Sequence, residues 1–243
     1  QLDWLMKDLS YLDDGQPVVV FTHIPPLSTR FRRTGASQPS PAASVSNRAR
    51  LYELLDPFDA HIIAGHTHES EHLYENGPHE HIIGAACGAW WSGPICYDGT
   101  PKGYAVYEVD GTDIRWRYQA TGHDADHQMR LYPAVSDPSS PDEMVANVWD
   151  ADDEWTIVWY EDGIRKGEMA RRTGTDPLSE ELHRGEDMPE RRPWVDPVPT
   201  DHLFYAPVRA DAQSVRVEAT DRFGRTYSAA LDEAMVPAGA GER

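Results

Sequence analysis

Basic charge is what this sequence most conspicuously lacks. Its 243 residues hold 22 Lys and Arg against 41 Asp and Glu, a formal net charge of −19, and only Lys7, Lys102 and Lys166 among the basic residues are lysines. Phosphate backbones are bound through basic patches, so this balance excludes nucleic acid as a partner class and argues equally against an anionic membrane surface. Long apolar runs are missing as well. None approaches the roughly 18 residues that a spanning helix takes, which excludes membrane insertion by that route. No charged-then-apolar leader opens the chain. It begins at Gln1, inside a helical pattern, and is expected to be a piece of a longer chain, so its first residues say nothing about compartment. Cysteine is limited to Cys87 and Cys96.

The acid excess is uneven, −6 over residues 1–121 and −13 over 122–243. Abundant acid with scarce lysine fits a protein kept soluble in concentrated salt, and fits equally an acidic protein from an arginine-favouring genome. Hydrophobic residues make up 40% of the chain, enough for real cores, and the length calls for one large or two modest domains.

Leu2, Leu5, Leu9 and Leu12 recur as one stripe of an amphipathic helix, and Gly15 suits a left-handed stop after Asp13-Asp14. Pro17 to Phe21 is almost wholly apolar, the pattern of a strand buried on both faces. Residues 34–46, rich in Ser, Pro and Ala, read as an excursion. Asn47 could cap a second helix ending near Leu55, and Ala60 to Ala64 forms another buried strand. The order helix, strand, His loop, helix, strand, His loop is an α/β layout. Residues 81–86, 103–109 and 113–118 then read as antiparallel strands, with Asp110-Gly111 a hairpin turn. Pro133 to Asp142 is the best linker candidate, dividing residues 1–132 from an all-β region over 143–243. Short strands at that spacing, with Trp155, Ile157 and Trp159 alternating, predict a sandwich of immunoglobulin or fibronectin type whose Trp residues pack its core rather than form a sugar-binding face.

The chemistry sits in "IIAGHTHESEH", Ile62 to His72. Imidazole is the commonest nitrogen ligand for Zn, Mn and Fe. On extended backbone, His66 and His68 project to the same side and reach one small volume or two adjacent ions. His23 follows a buried strand of parallel type, where α/β folds keep their ligands. Two competing motifs fail. A metallo-β-lactamase needs an Asp-His pair where Ser70 and Glu71 stand, and the cupin spacing does not match.

Val19-Val20-Phe21-Thr22-His23 followed by Gly65-His66-Thr67-His68 resembles the last two motifs of the calcineurin-like metallophosphoesterases. "GAACGAWWSGPICYDGTPKGY" from Gly84, "NVWDADDEW" near Asn147 and "VEATDRFGRTY" near Val217 resemble the branch carrying an appended C-terminal β domain. The resemblance implies an α/β fold, the C-terminal half of an αββα sandwich, ahead of the β-sandwich. It implies a metal-dependent phosphoesterase, acting on a small mono- or diester substrate through two divalent ions, Mn, Zn or Fe. His23 and His66 would serve one ion and His68 its neighbour. Trp90, Trp91 and Asp98 are candidates to border the substrate cleft. The family's earlier motifs, Asp-x-His, the Gly-Asp pair and Asn-His-Asp/Glu, have no counterpart ahead of His23. The chain is therefore expected to be the C-terminal portion of such an enzyme, with no catalytic residue of its own, and inactive in isolation. The flanks of His61, His72, His79 and His81 fit none of the absent roles, and these are read as surface histidines. The resemblance also favours a location outside the cytoplasm, where Cys87 and Cys96 could form a disulfide; two buried free thiols are the other outcome. A non-catalytic binding or structural module with an accidental His cluster is the competing reading, and oligomeric state is open.

Overall fold

The leucine stripe starts the fold as expected. In the computed structural model, which describes residues 1–75, 77–186, 190 and 192–231, the chain opens with α1 (Leu2–Leu9), β1 (Pro17–Phe21), the single turn α2 (Arg30–Arg33), α3 (Arg48–Leu55) and β2 (Asp59–Ala64). Leu2, Leu5 and Leu9 of α1 join Leu51 and Leu55 of α3 over Val18, Val20, Ala60 and Ile62. This apolar layer fastens the helices to one face of a sheet. Gly15 takes the left-handed conformation, φ 79°, that turns the chain from α1 into β1.

β3 (Glu71–Leu73) and β4 (His79–Ile82) complete that sheet in the order β1-β2-β4-β3. β1, β2 and β4 run parallel and β3 antiparallel to β4. β1 is only half-buried and Phe21 is 75% exposed, which corrects the expectation of burial on both faces. An outer strand has a neighbour on one side only among the described residues. The predicted strand over 81–86 is shifted, because pairing with β2 begins at His79 and ends at Ile82.

β5 (Gly103–Asp110) and β6 (Asp113–Ala120) form the predicted hairpin, turned at Gly111. Beyond it come β7 (Met129–Tyr132), β8 (Glu143–Val148), β9 (Thr156–Glu161), β10 (Ile164–Glu168), β11 (Ala170–Gly174), α4 (Pro177–Arg184), β12 (Thr200–Pro207), β13 (Val215–Thr220) and β14 (Thr226–Ala230). The strands make two antiparallel sheets, β10-β9-β13-β14 and β11-β12-β8-β7. Met144, Ala146 and Val148 of β8 and Phe204 of β12 share one core with Ile157 of β9 and Val215, Val217 and Ala219 of β13. Trp155 and Trp159 pack against this core, as the alternation predicts.

Two features depart from the sequence reading. The stretch 133–142, expected as a linker, connects β7 to its neighbour β8, so the C-terminal sheet begins at Met129, ahead of it. The region expected to be all-β also carries α4, opened by Asp176, whose side chain accepts the Ser179 amide. Leu178 of α4 covers Tyr132, Val145, Leu203 and Tyr205 on the sheet face turned away from the core. That is why β8 and β12 are buried on both faces. No helix among the described residues is long and apolar enough to cross a membrane.

Candidate metal centre

Pairing of β1 with β2 continues past both strand ends: Thr22 N–H donates to Ile63 O at 3.0 Å, and Gly65 N–H to His23 O at 3.2 Å. This brings two loops together at one sheet edge, with His66 Nδ1 3.1 Å from His23 Nε2. His66 Nε2 donates to the Ala42 carbonyl at 2.8 Å, so the Ser/Pro/Ala-rich excursion touches His66, while His23 stays exposed. His68 Nδ1 donates to the Gly88 carbonyl at 2.7 Å, and its ring stacks on Trp90 with centroids 4.9 Å apart. A carbonyl can only accept, so each bond fixes a tautomer. The lone pair is left on Nδ1 of His66 and on Nε2 of His68, the arrangement by which outer carbonyls orient metal-binding imidazoles.

The backbone reaches this geometry by a different route from the extended one expected. His66 and His68 both occupy the left-handed region, at φ 73° and 56°, around a tight turn in which Thr67 N–H donates to Gly65 O at 2.9 Å. Non-glycine residues take this conformation rarely, and it clusters at functional sites. Buried carboxylates hold the turn in place. Glu69 binds Arg30 and Arg33, each at 2.9 Å, and Glu71 accepts the Ser28 hydroxyl and the Thr29 amide, each at 2.9 Å. The segment after His23 is thereby tied to the segment after His68. Burial pushes the His68 imidazole below its usual pKa, with the Gly88 carbonyl opposing and His66 and His23 adding to the shift. The neutral ring, the ligand form, is favoured.

Trp90 and Trp91 are 41% and 63% exposed beside His68, both with positive φ. The Lys102 ammonium lies 5.0 Å from the Trp91 ring. Asp98 does not border a cleft, and that reading is corrected. It is fully buried, accepting from the Ser70 amide at 2.6 Å, the Thr100 amide and hydroxyl at 3.0 Å, and His202 Nε2 at 3.1 Å. His202 in turn binds Asn147 at 2.7 Å, so Asp98 anchors the loop that follows the candidate site to β8 and β12. Cys87 and Cys96 are free thiols, not a disulfide.

A second correction is larger. His61, His72, His79 and His81 are not surface residues; His79 and His81 are buried and the His72 side chain is 4% exposed. His61 pairs in register with His79 and His72 with His81, which puts all four on the sheet face opposite the helices. His61 Nδ1 is 2.9 Å from His81 Nε2, and His72 Nδ1 is 3.0 Å from His79 Nε2. The letters Asp59-Ala60-His61 do spell Asp-x-His, but they lie on β2, and His61 joins this second cluster rather than the first. The one signal in the sequence was His79-Glu80-His81, two imidazoles at strand spacing.

Residues 80–227, more than half of the chain, match the family described as the C terminal of calcineurin-like phosphoesterase. His23, His66 and His68 precede the matched stretch. Among curated proteins nothing matches this sequence.

Proposed function

Because the chain belongs to the calcineurin-like phosphoesterases, matching their C-terminal region, we propose that it forms one wall of a two-metal phosphoesterase site. In this reading His23 and His66 serve one divalent ion and His68 its neighbour. One observation carries it: the Ala42 and Gly88 carbonyls fix opposite tautomers on His66 and His68, leaving one unprotonated nitrogen on each. The His66 nitrogen lies 3.1 Å from His23 Nε2, near the roughly 3.4 Å between donors of a tetrahedral ion with bonds of about 2.0–2.1 Å. When bound, such an ion pair neutralises phosphoryl oxygens and activates water.

The residues of this chain orient and shelter. Glu69 and Glu71 hold both His loops at fixed separation, and the Ala42 carbonyl of the 34–46 excursion orients the His66 ring. Trp90 and Trp91 give an aromatic border suited to the leaving group of a small phosphate mono- or diester. The paired four-stranded sheets are read as an appended sandwich of immunoglobulin or fibronectin type.

The test uses this chain together with whatever its gene encodes ahead of Gln1, assayed with Mn and Zn on an aryl phosphate monoester and a diester. His66→Ala and His68→Ala should each lower kcat/KM by more than about 100-fold, beyond what loss of an outer partner costs. Unchanged turnover in both variants would remove the assignment.

A further inference from the structure

We propose that His61, His79 and His81 form a second, mononuclear site for a divalent metal of the zinc class, separate from the site at His23, His66 and His68. Among the described residues, these three are the one group of His, Cys, Asp or Glu whose donor atoms all lie within 4.8 Å of one another. A tetrahedral zinc separates its nitrogen donors by roughly 3.4 Å, so closing on the ion takes side-chain shifts on the order of 1 Å. Donor chemistry selects the metal: an all-imidazole set suits Zn, Cu, Ni or Fe and not Mg or Ca.

His72 lies outside this 4.8 Å group but adjoins it through His79, and a larger shift would bring it in as a fourth ligand. Its Nε2 donates to Asp150 Oδ1 at 3.0 Å, which leaves the lone pair on Nδ1, the nitrogen that faces His79. A carboxylate holding an imidazole in this tautomer is the usual outer partner of a zinc-bound histidine. The donor atoms His61 Nδ1 and His81 Nε2 stand 2.9 Å apart, and so face one another as two ligands of one ion do. The Trp116 indole closes the site, its centroid 4.6–6.2 Å from those of all four imidazoles. The nearby Arg222 guanidinium, 5.2 Å from the Trp116 ring, is met by Asp152 and Glu154, each at 2.7 Å, so its charge is largely compensated. A cleft of about 400 Å³ reaches His61 and His79 from solvent and gives an ion its way in.

The consequence is structural. The ligands lie on β2, β3 and β4, and Asp150 lies beyond β8, so a bound ion would clamp the parallel sheet to the C-terminal sheets. The test takes the full chain with His23, His66 and His68 all changed to Ala, strips it of metal, dialyses it against zinc and counts bound metal by elemental analysis. One zinc per chain and a raised Tm are expected. Adding His61→Gln, at the half-buried end of the cluster, should abolish that zinc. Cobalt in place of zinc should give the intense visible absorption of a tetrahedral site, with no need of a folded cluster variant. A triple variant that binds no zinc, zinc retained after His61→Gln, or an octahedral cobalt spectrum overturns the proposal. Each would do so without bearing on the phosphoesterase site, already removed by the three alanines.

Discussion

His68 is held by Gly88: its Nδ1 proton points at the Gly88 carbonyl across 2.7 Å, and Gly88 itself stands at φ 57°. A Cβ there would meet the Ile95 carbonyl oxygen at 2.4 Å. Gly88→Ala should therefore cost about 1–2 kcal/mol in left-handed backbone strain before any clash is counted. The clash then moves the carbonyl away. Urea unfolding should show the loss of stability, and long-range proton–nitrogen NMR should show His68 passing from a single Nδ1–H tautomer to a mixture. A single tautomer persisting in the variant would mean that Gly88 does not set it.

Asp98 predicts an acid limit. Burial by itself would raise its carboxyl, but the hydrogen bond and charge of His202, with the Ser70 and Thr100 amides, hold it below the ordinary carboxylate range. A carboxyl depressed on folding contributes stability that is complete above its unfolded pKa, about 3.9, and is lost as pH falls through the folded value. Unfolding free energy should drop in that acid window. Asp98→Asn should flatten the drop and, by weakening the buried hydrogen bonds from Ser70, Thr100 and His202, cost about 1–3 kcal/mol at neutral pH.

Much of this was legible because it is periodic or punctuated. The leucine stripe of α1, the apolar β1 and β2, and the Asp-Gly turn at residues 110–111 are local signals, and each element formed close to its expected bounds. His23, His66 and His68 stood out as candidates because loops after parallel strands gather ligands. What stayed hidden depends on contacts between distant residues. The second histidine cluster needs the register that sets His61 beside His79 and His72 beside His81. Asp98 looked like a cleft residue from its neighbours Trp90 and Trp91, but its partner His202 is 104 positions away. α4 was overlooked because a two-turn helix offers too few repeats to register as periodic, although Asp176 and Pro177 mark its start.

The outer edge of β1 predicts self-association. Its backbone has no strand partner on that side among the described residues, Phe21 at its end is 75% exposed, and Trp4 and Tyr11 are 68% and 76% exposed. Unpaired edges beside exposed apolar side chains template pairing with another chain. Sedimentation velocity on the 243-residue chain should show association rising with concentration, and Phe21→Lys should suppress it. A wild-type chain that stays monomeric at high concentration would show that the edge is blunted in some other way.

The 243-residue chain by itself should not hydrolyse phosphate esters at an enzymatic rate. Neutral imidazoles compensate none of the charge of two dications, and two such ions a few ångströms apart repel each other strongly unless an anion lies between them. The histidine–carboxylate pairs among the described residues are His72 with Asp150 and His202 with Asp98, and neither includes His23, His66 or His68. A first ion can use the His23–His66 pair, but a second would have His68 as its only histidine. With one ion, the two-sided clamp on the phosphoryl group and the bridged nucleophile are lost together. The purified chain, supplied with Mn or Zn and an aryl phosphate monoester or diester, should match the buffer rate. The same assay on the product extended ahead of Gln1 gives the comparison. If the 243 residues alone turn over as fast as the extended product, and His66→Ala abolishes that turnover, the ligands assigned to residues outside this sequence must instead lie within it.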